Sequence, residues 1–200
     1  TMKHTLLIIT ALMLIVGCSK EPINIDELVE RDGIWYTKDT NKPYSGPVFA
    51  LYENGQKEGE GTFKDGKQDG IATWWYENGQ KFGEATFKNG IEIERTEWEY
   101  YDNGQKEYVG TYKDDEKDGV WTFWYENGQK EYVGTYKDDE KDGVWTFWYE
   151  NGQKKGEGTF KDGKQDGLWT EWYENGQKFG EATFKDGKQD GLWTEWYENG

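Results

Sequence analysis

Residues 160–178, FKDGKQDGLWTEWYENGQK, decide the fold, because two turn sequences flank a stretch that is rich in aromatic residues. The first turn is predicted at 162–167 and the second at Asn175-Gly176. Asn and Gly both tolerate positive φ, so the second turn fits a two-residue type I′ hairpin. We therefore predict strands over 154–161 and 168–174. Frequent glycines and alternating rings argue against a helix.

The same turn sequence returns along most of the chain. Residues 107–130 and 131–154 are identical at every position, and the turn glycines are spaced by 24 residues except for one spacing of 25. These glycines are Gly55, Gly79, Gly104, Gly128, Gly152, Gly176 and Gly200. Such a period indicates an array of stacked units, each made of two short strands.

One unit departs from this pattern. A second glycine precedes the turn glycine by nine residues in the other units, as Gly167 precedes Gly176. That glycine is missing from the unit that contains 88–98, and the same unit carries the one extra residue. We predict an irregularity or a bend at this place in the array.

The turn at Asn175-Gly176 also predicts which residues face each other. The predicted pairs are Trp169 with Ala182, Glu171 with Gly180, Tyr173 with Lys178, Trp121 with Gly134, and Trp74 with Gly83. Large rings thus face small residues or alkyl stems, as a packed aromatic face requires. We predict an all-β protein, an elongated single-sheet β-meander or solenoid-like array of repeated β-hairpins.

The opposite face of each predicted hairpin is mixed, and it carries one tryptophan per unit. We take these indoles as candidate ligand-facing aromatics, since flat rings stack on the apolar faces of sugars. Packing between the strands explains the same residues equally well. The candidates are Trp75, Trp124, Trp148, Trp172 and Trp196.

Composition excludes several classes of function. The net charge of -16 disfavours binding to nucleic acid. The single histidine, His4, and the single cysteine, Cys18, both precede the repeats, so we predict no enzyme, no metal site and no cofactor. The acidic loop 113–119 has Tyr125 where a calcium-binding EF-hand loop needs a bidentate Glu, and we interpret it as a solvated turn.

The first residues suggest a membrane anchor. The apolar run Thr5–Val16 is shorter than the roughly 20 residues that cross a bilayer. Ile15-Val16-Gly17-Cys18 resembles a bacterial lipobox, which implies cleavage before Cys18, diacylglycerol on its sulfur and, with Ser19 next, an outer-membrane destination in the bacterial cell envelope. An ordinary secretory peptide or an internal apolar segment is the alternative.

We predict a signal peptide at 1–17, a linker at 18–32 and an array at 33–200, with about seven units of which the last is incomplete.

The pattern of residues 160–178 is similar to the bacterial variant of the MORN repeat. The resemblance covers about residues 33–200, with 33–45 as an N-terminal cap and 88–98 as a degenerate stretch. It implies an elongated run of β-hairpins that serves as a binding or scaffolding platform, and some bacterial members are labelled antitoxin-like. We therefore expect a lipid-anchored, non-catalytic interaction or scaffolding module that contacts the membrane through Cys18 and an envelope protein. One alternative is a glycan-binding or cell-wall-binding protein that uses the tryptophans, and another, implied by the resemblance, is an antitoxin-like component.

Overall fold

A computed structural model describes residues 20–199 as one long open β-sheet of 17 strands and a separate two-stranded hairpin. The prediction of an all-β array of hairpins is confirmed. The strands are β1 (Ile23–Asn24), β2 (Leu28–Arg31), β3 (Ile34–Thr37), β4 (Gly46–Leu51), β5 (Lys57–Lys64), β6 (Lys67–Gln68), β7 (Gly70–Trp75), β8 (Lys81–Lys88), β9 (Ile91–Tyr100), β10 (Lys106–Lys113), β11 (Glu116–Lys117), β12 (Gly119–Trp124), β13 (Lys130–Lys137), β14 (Glu140–Trp148), β15 (Lys154–Lys161), β16 (Lys164–Trp172), β17 (Lys178–Lys185), β18 (Lys188–Gln189) and β19 (Thr194–Glu195).

From β4 onward the sheet is an antiparallel meander, in which each strand pairs with the strands before and after it in sequence. The short strands β6, β11 and β18 each lie in line with the strand that follows them. At the N-terminal end of the meander, β1 pairs in parallel with β4 and thereby covers the free edge of β4. No helix among residues 20–199 is long and apolar enough to cross a bilayer.

The type I′ geometry predicted for the Asn-Gly turn is found at the other turn of each unit. The type I′ turn lies at Asp162-Gly163, where φ is 49° and 71° and Lys161 pairs with Lys164. Strand β16 therefore begins at Lys164, four residues earlier than predicted. Asp accepts positive φ because its short side chain can hydrogen-bond locally.

The Asn-Gly turn is a three-residue loop, so the type I′ prediction there is wrong. Only Gly176 has positive φ, at 83°. Its N–H donates to the carbonyl of Tyr173 at 2.9 Å, and the Tyr173 N–H donates to the carbonyl of Gln177 at 2.8 Å, as in a type I turn that ends in a bulge. Asn175 Oδ1 accepts the N–H of Gln177 at 2.9 Å, and this bond gives Asn a role in the turn although its backbone is not left-handed.

The bulge shifts the pairing by one residue next to the turn. Trp172 pairs with Lys178, so the predicted pair of Tyr173 with Lys178 is wrong. Further from the turn the predicted pairs are confirmed: Trp169 with Ala182, Glu171 with Gly180, Trp121 with Gly134, and Trp74 with Gly83.

We call the face that carries Trp121, Trp145 and Trp169 the packed face, and the other the open face. These three indoles retain only 1%, 0% and 9% exposure although the sheet is a single layer. Each lies over a glycine of the preceding strand: a Cβ built on Gly134 would overlap the indole of Trp145. Ring-against-small packing is therefore the core of the array.

The N-terminal residues form a cap with its own aliphatic and aromatic cluster. Leu28, Tyr44, Val48 and Phe63 are buried there, and Trp35 packs against them. The described part of the predicted linker is thus folded: residues 23–31 form β1, a 3₁₀ turn and β2. Leu28 gives the segment an apolar side chain to bury, which a free linker would lack.

The irregular unit keeps the sheet continuous but changes its register. In a regular unit, one residue such as Trp172 both lies under Lys154 of the strand before and pairs with Lys178 of the strand after. In β9 these two roles fall on residues two positions apart: Trp98 lies under Lys81, whereas Tyr100 pairs with Lys106. The predicted irregularity is therefore a two-residue register step.

Candidate functional site

The predicted tryptophans form a row on the open face, and each is covered by a lysine. The ammonium lies 5.0–5.8 Å from the centre of the indole, within the range of cation–π attraction. The pairs are Lys57 with Trp75, Lys81 with Trp98, Lys106 with Trp124, Lys130 with Trp148, Lys154 with Trp172, and Lys178 with Trp196. Trp98 was missed in the sequence because the register step displaces it from the regular spacing. Trp196 is the most exposed of the predicted five, at 38%, and the others are half-buried.

The lysines are held from a second side by carboxylates. Lys154 Nζ lies 2.8 Å from Glu157 Oε2, and the same i to i+3 pair forms at Lys57, Lys81 and Lys178. The hydrogen bond from Lys154 holds the pKa of Glu157 below its usual range. In the two central units Val109 and Val133 replace this Glu. Such exposed ion pairs add little stability, and the two lysines that lack the Glu also lie over their indoles.

A second row on the open face consists of exposed aliphatic side chains. Each follows the second glycine of its unit, and all but Leu192 pair with a threonine of the next strand, as Leu168 pairs with Thr183. Sequence reasoning missed this row, although a constant apolar residue after that glycine was its signal. Glu94 of the irregular unit, which also pairs with Thr86, interrupts the row. Its members are Ile71, Val120, Val144, Leu168 and Leu192, all more than half exposed.

Hydrogen bonds between successive Asn-Gly turns hold one edge of the array. Tyr125 Oη donates to the carbonyl of Trp148 at 2.8 Å, and Asn127 Nδ2 donates to the carbonyl of Glu150 at 2.8 Å. The same tyrosine bond starts from Tyr52, Tyr101, Tyr149 and Tyr173. Tyr76 instead reaches the carboxylate of Glu99 at 3.4 Å, because the next strand is the irregular one. The open face is therefore carried by a backbone that is fixed from unit to unit.

The acidic loops are accounted for by turn geometry. Asp114 and Asp115 have φ of 52° and 65°, as a type I′ turn requires. In the next loop Asp139 Oδ1 accepts the N–H of Lys117 at 2.8 Å. Within 20–199, no group of three or more His, Cys, Asp or Glu side chains is arranged to hold a metal ion. Cys18, the predicted lipidation site, lies outside the described residues.

Comparison with known proteins agrees with the repeat geometry. The MORN repeat variant family matches seven segments, which together cover more than half of the chain. The chain belongs to the MORN repeat variant family. The matched segments are 44–65, 68–89, 97–114, 117–138, 141–162, 165–186 and 189–200, so residues 90–96, which include the first part of the irregular strand β9, fall between two of them.

No curated protein matches this MORN repeat variant chain. Among solved structures, the chain is similar to one described as "Crystal structure of GtfA/B complex bound to UDP and GlcNAc", with 9% identity and a TM-score of 0.22. The similarity covers 64% of this chain and 23% of the length of that one.

Proposed function

We propose that this MORN repeat variant protein is a lipid-anchored, non-catalytic interaction module of the bacterial cell envelope, and that its open face is the contact surface for another protein. The observation that carries the interaction is the aliphatic row. Ile71, Val120, Val144, Leu168 and Leu192 are 59%, 60%, 59%, 54% and 88% exposed. Aliphatic side chains aligned in the open are typical of surfaces that another molecule covers.

The rigidity of the array supports the same proposal. The edge bonds from each turn to the next, such as Tyr125 to Trp148, fix the spacing of the rows before any partner binds. A preordered surface loses little conformational entropy on association, so more of its contact energy contributes to affinity. The lysines and carboxylates around the aliphatic row would supply a polar rim.

The test of the interaction uses two substitutions to threonine, a polar residue whose β-branched side chain is well suited to strands. We expect Val144→Thr with Leu168→Thr to reduce capture of an envelope protein by the immobilised chain several-fold, while the circular dichroism spectrum stays unchanged. Glu150→Gln with Glu174→Gln, at exposed turns of the same units, is the matched control and should retain capture. Equal capture by all three proteins would show that the aliphatic row is not the contact.

The lipid anchor rests on the lipobox-like residues before and at Cys18. We expect Cys18→Ala to move the protein from the membrane fraction to the soluble fraction, and to abolish incorporation of a labelled fatty acid. Membrane association equal to that of the wild type would remove the anchor from the proposal while leaving the interaction surface in place.

A glycan-binding function is the second candidate, favoured by the regular row of indoles. A sugar ring stacking on Trp148 would have to displace Lys130, whose ammonium lies 5.8 Å from the ring centre. If glycans are the ligands, Lys130→Ala should strengthen the quenching of tryptophan fluorescence by peptidoglycan or surface polysaccharide. No spectral change with any glycan, in either protein, would exclude this candidate.

A further inference from the structure

The irregular unit opens a cleft of about 370 Å³ on the packed face. In β12 and β14 the packed face presents Trp and Phe two residues apart, as in Trp145 and Phe147, whereas β9 presents Glu97 and Glu99. Two rings are thus replaced by shorter carboxylates. The remaining space is lined by Trp74, Tyr76 and Phe82, by these two glutamates, and by Arg95 with Glu92.

The walls of the cleft are aromatic and well packed. Tyr76 and Phe82 have ring centroids 4.7 Å apart. Trp74 lies against Gly83, where an added Cβ would be 3.2 Å from the indole. Such ring faces attract a cation through their negative quadrupole.

The two carboxylates differ in how they are neutralised. Glu97 Oε1 accepts the Nε–H of Arg95 at 2.9 Å, and the same guanidinium also bonds Glu92 and Asp115. Glu99 forms no ion pair within the described chain, and its polar side-chain contact is the Tyr76 hydroxyl at 3.4 Å from each carboxylate oxygen. The cleft therefore combines aromatic walls with a carboxylate whose charge is not balanced.

A second cleft, of about 330 Å³, has a similar lining but contains an ammonium group of the chain itself. It lies at the corresponding place three units later, where Phe147 and Tyr149 take the positions of Trp74 and Tyr76, and Glu171 that of Glu97. The counterpart of Phe82 is Lys155, whose ammonium lies 5.5 Å from the centre of the Tyr149 ring. Here the chain lines its aromatic and carboxylate cleft with its own ammonium.

We propose that the first cleft, formed by Trp74, Tyr76, Phe82, Glu97 and Glu99, binds an alkylammonium group from another molecule. Either the lysine side chain of a polypeptide or a free aliphatic amine supplies this group. The rings contact its methylenes and its charge, and Glu99 accepts its N–H donors. The site lies on the face opposite the aliphatic row, so it does not rest on the function proposed above.

The test is calorimetric titration of the full chain with the tripeptide acetyl-Gly-Lys-Gly-amide. The same peptide acetylated on the lysine Nζ is the uncharged control and should not bind. We expect Glu99→Gln, which keeps the shape and removes the charge, to weaken binding about tenfold, as expected for loss of a charge-assisted hydrogen bond. Glu171→Gln, which neutralises the carboxylate of the second cleft, should bind like the wild type.

A reciprocal substitution tests the cleft without altering a carboxylate. Phe82→Lys gives the first cleft the internal ammonium of the second, and we expect it to abolish peptide binding. Phe179→Lys is the matched control, because Phe179 occupies the same repeat position beside Tyr173 and adds the same charge elsewhere. If both lysine variants bind equally, or if Glu99→Gln binds like the wild type, the cleft is not the site.

A second titration, with butylamine, distinguishes a polypeptide lysine from a free aliphatic amine as the source of the ammonium group. Binding of the peptide about tenfold tighter than that of butylamine would identify a polypeptide as the ligand, because its backbone adds contacts. Equal affinities would identify a free aliphatic amine. Binding of neither, or equal binding of the charged and acetylated peptides, overturns the proposal.

Discussion

The two identical units at 107–154 and the irregular unit at β9 solve the same packing problem with different chemistry. In the identical units Trp121 and Trp145 are fully buried over glycines, and their Nε1–H groups donate to the carbonyls of Thr111 and Thr135 at 3.1 Å. In β9 the same face carries Arg95 between carboxylates, with its guanidinium 4.4 Å from the centre of the Tyr112 ring. The backbone of the meander therefore tolerates a core of rings or a network of charges.

The largest difference between the two regions should appear when a methyl group is added to a glycine of the packed face. In Gly134→Ala the new Cβ overlaps the indole of Trp145, so we expect a loss of about 3 kcal/mol in the free energy of unfolding. In Gly83→Ala, beside β9, the Cβ would lie 3.2 Å from the Trp74 ring, and a loss below about 1 kcal/mol is expected. Urea denaturation of the two variants measures this, and similar losses would contradict the packing difference.

The next effect should follow removal of the cation in the irregular unit. Arg95→Leu leaves Glu92, Glu97 and Asp115 without their shared partner, and we expect the free energy of unfolding to fall by about 2 kcal/mol at low salt. Added salt should reduce the loss, because it screens the repulsion between the carboxylates. Lys137→Leu, at an exposed strand end, is the control and should change little. Equal urea midpoints for both variants would show that the charge network is not structural.

Removing an edge hydrogen bond should change the stability of the two regions by a smaller amount. Tyr125→Phe removes a 2.8 Å hydrogen bond to the Trp148 carbonyl, and we expect the free energy of unfolding to fall by about 1 kcal/mol. Tyr76→Phe removes only the long contact to Glu99, so the expected loss is less than about 0.5 kcal/mol. Thermal melting of both variants tests the order, and the reverse order would contradict the structure.

The smallest effect concerns alkaline pH. Burial, and next the charge of Glu97, raise the pKa of Tyr108 to about 12 from its ordinary value of 10.0. A raised folded-state pKa adds stability that is complete below pH 10 and is lost as pH rises toward 12, because the unfolded chain ionises first. Tyr108→Phe should therefore fall less in melting temperature between pH 9 and pH 11 than the wild type. Parallel decreases would show that Tyr108 does not contribute.

Much of the fold could be predicted because the repeat period and the pairing of large with small residues indicate the same strand register. Trp169 opposite Ala182 and Trp121 opposite Gly134 follow from counting outward from a turn. The turn geometry could not be predicted from residue preference alone, since Asn and Asp both tolerate positive φ. The structure assigns left-handed backbone to Asp162 and leaves Asn175 with an extra bond to Gln177.

The candidate surfaces were less accessible to sequence reasoning. The tryptophan row could be predicted from spacing, but its lysine covers depend on the bulge that turns Lys154 and Glu157 to one face. The cleft at Glu99 depends on pairing between β9 and both of its neighbours, and a step in register leaves no mark in composition. The lipidation of Cys18 stays a prediction, because Cys18 lies outside the described residues.

The register step has a consequence for any long ligand of the array. Neighbouring units of two strands repeat about every 10 Å, so Trp124, Trp148, Trp172 and Trp196 mark one track with that period. At β9 the track shifts sideways by two residues, or about 6.6 Å, before it continues at Trp75. A stiff ligand with a matching period can follow one track or the other, but not both.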